Sequence, residues 1–205
     1  MLTLALPKSR LLDPVVALFE QRGVAIGRAL EAAGRALVVE SDGIRVLLLK
    51  DADVPVYVEQ GVAHCGVAGL DQVLERQSDV LRLLRLPVGQ CALMLIARPE
   101  GVVHRDGQPL VVATKYPTLV RELARRRGRQ VSVVPLAGSV ELAARLALTD
   151  AVVDLVETGR TLRENGLVPV EEWLRVAPYL IVNRAALHLE GESIRALRRT
   201  LGGAS

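Results

Sequence analysis

The stretch AVVDLVETGRTLRENGL, residues 151–167, decides how this chain is read. Residues 151–156 are apolar except for Asp154, the composition of a strand covered on both faces. Glu157, Thr158 and Gly159 supply turn chemistry, and the sequence from Arg160 reads as a short helix that stops at Gly166. A buried strand that turns directly into a helix is half of a βα unit, the repeating piece of a parallel α/β sheet.

The same grammar extends in both directions. Downstream, 168–187 predicts long strands interrupted by Pro178, and 192–201 a final Arg-faced helix. Upstream, Ser139 is expected to cap a helix over VELAARLA, after the strand VSVVP (131–135), a helix over 117–127 that closes at Gly128, and the strand LVVAT (110–114). The loop 99–109 holds His104. Before it, CALMLIAR (91–98) and VLRLLRL (80–86) read as strands, and AHCGVAG (63–69) as a buried strand feeding the helix LDQVLERQ. Asp53 is placed to cap a short helix with Pro55 in its first turn. ALVVE (36–40) and IRVLLL (44–49) flank Ser41-Asp42-Gly43 as a hairpin. LTLAL (2–6) reads as a first strand, followed by a helix opened by Asp13-Pro14 and closed by Gly23. The pattern occurs twice, which predicts an α/β protein of two mainly parallel lobes around a cleft. Residues 1–90 plus 179–205 make lobe I, and 91–178 lobe II with the loop at 157–161.

Composition removes several functions. The chain has 205 residues, half of them apolar, and a formal charge of +3. Disorder does not fit that aliphatic content. So small a charge with five aromatic residues gives neither phosphate attraction nor a stacking platform for nucleic acid. No run is long enough for a membrane span, and the start MLTLALPKSRLL carries its charges after its apolar run, unlike a secretion signal. Cys65 and Cys91 lie in apolar runs and read as buried thiols of a cytoplasmic protein. His64, His104 and His188 have no spacing partner for a metal site. Trp173 and Met94 read as core, and Arg125, Arg126, Arg127 and Arg129 as a solvated helix edge.

The segment 151–167 also carries chemistry. Successive backbone N–H groups at a helix start, with Gly159 and the hydroxyls of Thr158 and Thr161, form a cradle for a phosphate monoester. Asp154 and Glu157 stand ready to accept hydrogen bonds from ribose hydroxyls, which suits a phosphorylated pentose. An ordinary strand–turn–helix joint capped by Thr158 accounts for the same residues without a ligand. Only three of the 26 basic side chains are lysines, Lys8, Lys50 and Lys115, and each falls at a predicted strand end. A compact ammonium there suits a phosphate, whereas coding bias toward Arg explains the ratio blandly.

DLVETGRTL resembles the phosphoribosyl-diphosphate loop of the ATP phosphoribosyltransferase family. ALPKSRLL (5–12), DVPVYVEQGVAHCGVAGLD (53–71), ATKYP (113–117), GSVELA (138–143) and APYLIVNRAAL (177–187) resemble further family segments in the same order. The resemblance implies a type II periplasmic-binding-protein-like fold. The implied activity joins N1 of ATP to C1 of 5-phosphoribosyl 1-diphosphate and releases pyrophosphate, opening histidine biosynthesis. On that resemblance Lys8, Arg10 and Asp154 are the catalytic residues. Asp154, Glu157, Thr158, Gly159, Arg160, Thr161 and Lys50 bind phosphoribosyl diphosphate, and Gly66, Gly69, Asp71, Lys115 and Ser139 wall the ATP and pyrophosphate site. Mg²⁺ is expected on the substrate phosphates. The chain resembles the short form of the family, which implies a homodimer within a hetero-oligomer containing a histidyl-tRNA-synthetase-like regulatory subunit.

Simpler roles stand beside several of these: surface cations for Lys8, Arg10 and Lys50, and helix capping for Asp71 and Ser139. Ser9 replaces the family's usual Gly, Lys50 its usual Arg, Ala147 a usual Gly, and Thr149 stands where a smaller residue is common. A non-enzymatic two-lobed binding or regulatory subunit is the alternative reading, and an allosteric subunit without catalysis a third.

Overall fold

Six consecutive buried residues, Leu2–Pro7, form β1, and only a strand covered on both faces is apolar on both. β1 lies between two parallel partners. On one side β3 (Ile44–Leu49) pairs with it from Leu2↔Ile44 to Pro7↔Leu49, and on the other β4 (Cys65–Gly69) pairs through Leu4↔Cys65 and Ala5↔Gly66. The computed structural model describes residues 1–102 and 107–203, so His104 and the middle of the predicted 99–109 loop lie outside the described residues.

Antiparallel strands complete this first sheet. β2 (Val38–Ser41) joins β3 through a hairpin, whose turn residues Asp42 and Gly43 have φ of 45° and 78°. β11 (Pro178–Val182) pairs with β4, and β5 (Leu81–Arg85) pairs with β11. The order is β2-β3-β1-β4-β11-β5. The helices are α1 (Leu12–Gln21), α2 (Gly27–Ala32), α3 (Val54–Glu59), α4 (Leu70–Arg76), α8 (Ala186–Leu189) and α9 (Gly191–Gly202). Alternation along β1 sorts the core onto the two faces. Leu2, Leu4 and Leu6 pack with Phe19, Ile194 and Leu201, whereas Ala5 packs with Val54, Val58 and Ile181. Each fully buried Leu or Phe contributes about 1.5–3 kcal/mol.

The second sheet has the order β10-β6-β9-β7-β8. β7 (Leu110–Thr114) lies parallel to β8 (Val131–Pro135) and β9 (Ala151–Val156), with Thr114↔Val153 the last β7–β9 pair. β6 (Cys91–Ala97) runs antiparallel to β9, and the nine-residue β10 (Val168–Val176) antiparallel to β6 with two register shifts. α5 (Pro117–Arg126), α6 (Glu141–Arg145) and α7 (Arg160–Glu164) complete this part. The chain divides into two compact units, Met1–Gly89 with Ala177–Ser205, and Gln90–Val176. No described helix is long and apolar enough to cross a membrane.

Several local expectations change. Among the described strands, parallel pairing joins β3, β1 and β4 in the interior of the first sheet and β9, β7 and β8 at one end of the second, and the remaining strands pair antiparallel. The strand expected to run on to 187 stops at Val182. There Asn183 donates through Nδ2 to the carbonyls of Val58 and Glu59, both at 2.9 Å, and its Oδ1 accepts the Ala186 N–H at 3.0 Å. One amide thus satisfies the end of α3 and opens α8. α1 begins at Leu12, ahead of the Asp13-Pro14 start, because Leu11 N–H and Leu12 N–H bond to the side chain and carbonyl of Ser9. Ser139 does not cap the next-to-last predicted helix of the second unit. It sits at φ 46°, and α6 starts at Glu141 without a side-chain cap.

Candidate active site

Parallel register brings Lys115 and Asp154 together. Thr114 pairs with Val153, so the next residue of each strand lies alongside, and Lys115 Nζ approaches Asp154 Oδ2 at 3.4 Å. Asp154 Oδ1 accepts the Leu155 N–H at 2.9 Å. The aspartate side chain is only 16% exposed, and burial raises its pKa above the ordinary carboxylate value. Lys115 and the Leu155 N–H pull the other way, and the charge of Glu141 on α6 adds to the rise. Glu141 escaped the sequence reading although it lies within GSVELA. Its relation to Asp154 depends on how α6 packs on β9.

The loop after β9 is exposed at Glu157, Thr158, Arg160 and Thr161. Gly159 has φ 68° and serves as N-cap of α7, a left-handed conformation that explains the glycine. Thr158 Oγ1 accepts the Arg160 N–H at 3.5 Å, a long bond that leaves the hydroxyl available. The Arg160 guanidinium pairs with Glu164 at 2.8 Å, one turn along an exposed helix face. Arg163 donates to the Thr158 carbonyl at 3.2 Å and steadies the turn. α7 has only five residues, so its dipole is small.

The first unit carries a second set. Lys8 and Lys50 each follow a parallel strand, β1 and β3, just as Lys115 follows β7. Lys8 N–H donates to the Leu49 carbonyl at 2.6 Å, which places the two lysines side by side, and both residues are exposed, as is Arg10. One residue further along each segment, Ser9 Oγ donates to Asp51 Oδ2 at 2.9 Å. No sequence signal singled out Asp51. Carrying the β1–β4 register forward from Ala5↔Gly66 brings Gly69 level with Lys8.

The glycines of β4 have local explanations. A Cβ on Gly66 would meet the Ala5 carbonyl at 2.9 Å and methyls of Val54 and Val58 at 3.0 Å, so close packing of α3 on the sheet requires the glycine. A Cβ on Gly69 would collide with the Asp71 carboxylate. Asp71 is buried and accepts a hydrogen bond from Gln72 Nε2 at 2.8 Å. Asp53 is the N-cap of α3 but makes no side-chain cap bond, and it faces Arg76 at 3.8 Å.

Ala147 and Thr149 find physical reasons. Ala147 has φ 56° just past the end of α6, a position that favours glycine. Thr149 is buried, and its hydroxyl donates to the Ala151 carbonyl at 2.9 Å. The arginine cluster is only partly a solvated edge. Arg125 and Arg126 pair with Glu122, but Arg127 donates to the Trp173 carbonyl at 2.6 Å, lies 5.4 Å over the Trp173 ring and pairs with Glu171. It ties α5 to β10. Burial pushes the Cys65 thiol up to about 12, which excludes a nucleophilic role.

Two α/β units, each with charged or polar residues at the carboxyl ends of its parallel strands, define the class of periplasmic-binding-protein-like folds. The aliphatic sulphonate binding protein SsuA of Escherichia coli shares this fold at TM-score 0.64 and 14% identity, over 98% of this chain and 70% of that one. The family model HisG: ATP phosphoribosyltransferase matches residues 50–203. An ATP phosphoribosyltransferase of Halalkalibacterium halodurans is 42% identical over 195 residues, covering 95% of this chain and 92% of that protein. One from Deinococcus radiodurans is 44% identical over 96% of this chain and 87% of its own length. The structure of the ATP phosphoribosyl transferase (HisG:HisZ) complex from Thermotoga maritima contains a chain with TM-score 0.83 and 29% identity, with 98% and 97% covered. The chain belongs to the ATP phosphoribosyltransferase family.

Proposed function

We propose that this chain transfers the 5-phosphoribosyl group of 5-phosphoribosyl 1-diphosphate to N1 of ATP, releasing pyrophosphate as the first step of histidine biosynthesis. Family membership along nearly the whole chain carries this reading. The adenine N1 already holds a lone pair, so the reaction needs positioning and charge neutralisation rather than a strong base.

The residues divide that work. Amides of 157–161 and the hydroxyls of Thr158 and Thr161 hold the 5-phosphate, and Asp154 and Glu157 accept hydrogen bonds from the ribose hydroxyls. Lys8, Arg10 and Lys50 neutralise the diphosphate as the C1–O bond breaks. Gly66, Gly69, Asp71, Lys115 and Ser139 wall the ATP and pyrophosphate site, and the Arg160 backbone N–H joins the 5-phosphate cradle. Lys115 also favours the charged form of Asp154 against its burial. Among the described residues no three acidic, His or Cys side chains gather as a metal cage. Asp154 and Glu157 beside substrate phosphates do fit Mg²⁺, which favours one or two carboxylates plus phosphates. When bound, Mg²⁺ supplies further neutralisation of the leaving diphosphate.

The Thermotoga maritima complex pairs HisG with HisZ, and this chain is proposed to work likewise as a homodimer with a histidyl-tRNA-synthetase-like regulatory subunit in the cytoplasm. The buried Cys65 thiol suits that compartment. The test incubates the purified chain with ATP, phosphoribosyl diphosphate and Mg²⁺, with and without that subunit. Phosphoribosyl-ATP is expected, and its absence in both reactions overturns the reading.

A further inference from the structure

Lys8 and Lys50 are the first residues beyond two neighbouring parallel strands whose last pair is Pro7↔Leu49. Adjacent strands lie about 5 Å apart, so two exposed like charges are held close together. Among the described residues neither lysine has an ion-pair partner. The carboxylate nearest in sequence, Asp51, is engaged instead by Ser9, whose hydroxyl donates to Asp51 Oδ2 at 2.9 Å across 42 residues of chain. Ser9 Oγ also accepts the Leu11 N–H at 3.3 Å, so the hydroxyl is held from both sides. Both residues are half-buried.

We propose that Ser9 and Asp51 form a latch between the loops after β1 and β3, fixing Lys8 and Lys50 as one paired dication for a diphosphate group. They are positioning residues, and the proposal rests on the phosphoribosyl-transfer reading above. The latch opposes separation of the two loops by charge repulsion. It also turns the Asp51 carboxylate to the serine, so the aspartate holds the loops without neutralising either ammonium group.

Two pairs of variants test this with inorganic pyrophosphate as a calorimetric probe and with steady-state kinetics. Ser9→Ala removes the donor, and Ser9→Thr retains it. Asp51→Ala and Asp51→Asn remove the same negative charge, but only Asn keeps an oxygen that accepts from Ser9. Loss of one such hydrogen bond is expected to weaken pyrophosphate binding and raise KM for phosphoribosyl diphosphate about 3–10-fold in S9A, with kcat within about twofold. S9T is expected to match the natural protein. D51A should bind pyrophosphate more weakly than D51N, whereas charge removal alone makes the two equal. Equal binding by D51A and D51N, or unchanged binding and KM in S9A, overturns the latch. If S9A unfolds, the comparison of the Asp51 variants still decides. If the natural chain binds pyrophosphate but forms no phosphoribosyl-ATP with or without the regulatory subunit, the reaction proposed above fails, while the titrations still judge the latch.

Discussion

Lys115 Nζ stands 3.4 Å from Asp154 Oδ2, each one residue beyond the last registered pair of two parallel strands. The lysine is the more exposed partner, 39% against 16%, so the aspartate bears the desolvation. The result is a carboxyl group whose pKa is raised despite a cation beside it.

Asp154→Asn separates stability from activity. A raised folded-state pKa means that the fold holds the acid form more tightly, so the natural protein loses stability as pH rises through that value. The amide escapes this penalty. At pH 7 the variant is expected to melt no lower than the natural protein, and its advantage should shrink on acidification and vanish below about 3.8, the carboxyl's ordinary value. Turnover should fall about 100-fold or more, because oriented charge at the ribose is lost. Thermal melts across pH with parallel assays check both.

Lys115→Met removes the nearest cation from Asp154, and its pKa rises further. The acid limb of the rate profile is expected to move to higher pH, which a pH series of kcat/KM measures. An unmoved limb would show that ionisation of Asp154 does not govern it.

Gly66→Ala places a methyl against the Ala5 carbonyl and two valines. Overpacking of this kind costs about 1–3 kcal/mol, read as a lower midpoint in denaturant unfolding.

Ala147→Gly acts in the opposite direction. The left-handed backbone costs an alanine about 1–2 kcal/mol, while glycine's greater freedom in the unfolded chain returns part of that. A net gain of about 0.5–1 kcal/mol is expected, measured by the same unfolding curves.

Native thiol labelling at pH 8 should modify Cys91, which is half-exposed, and spare Cys65, whose thiol lies near 12 and is fully buried. Both should react in denaturant. Rapid labelling of Cys65 in the folded protein would contradict its packing role.

The sequence made much of this fold legible where local chemistry and burial agree. LTLAL, LVVAT and AVVDLV are apolar at nearly every position and read as covered strands, so β1, β7 and β9 were accessible from composition. The Ser41-Asp42-Gly43 turn likewise announced its hairpin. What escaped depends on partners distant in the chain. Asn183 ends β11 because the carbonyls of Val58 and Glu59 lie beside it, more than 120 residues away in sequence. The Glu141 charge near Asp154 and the Ser9–Asp51 bond arise in the same way from packing between elements. Ser139 has an N-cap composition, but its φ of 46° turns the chain rather than capping it. Arg127 read as solvated because its neighbours are, although the Trp173 carbonyl and ring lie within its reach.

The return of β11 to the first sheet orders events during synthesis. Residues 90–176 are contiguous and can fold as soon as they clear the ribosome. The sheet begun by β1 stays open at β4 until residues 178–182 emerge. Its β5 strand, made almost a hundred residues earlier, has no neighbour until that moment. A nascent chain stalled before 178 therefore presents the open edge of β4 and a wholly unpaired β5 to chaperones and proteases.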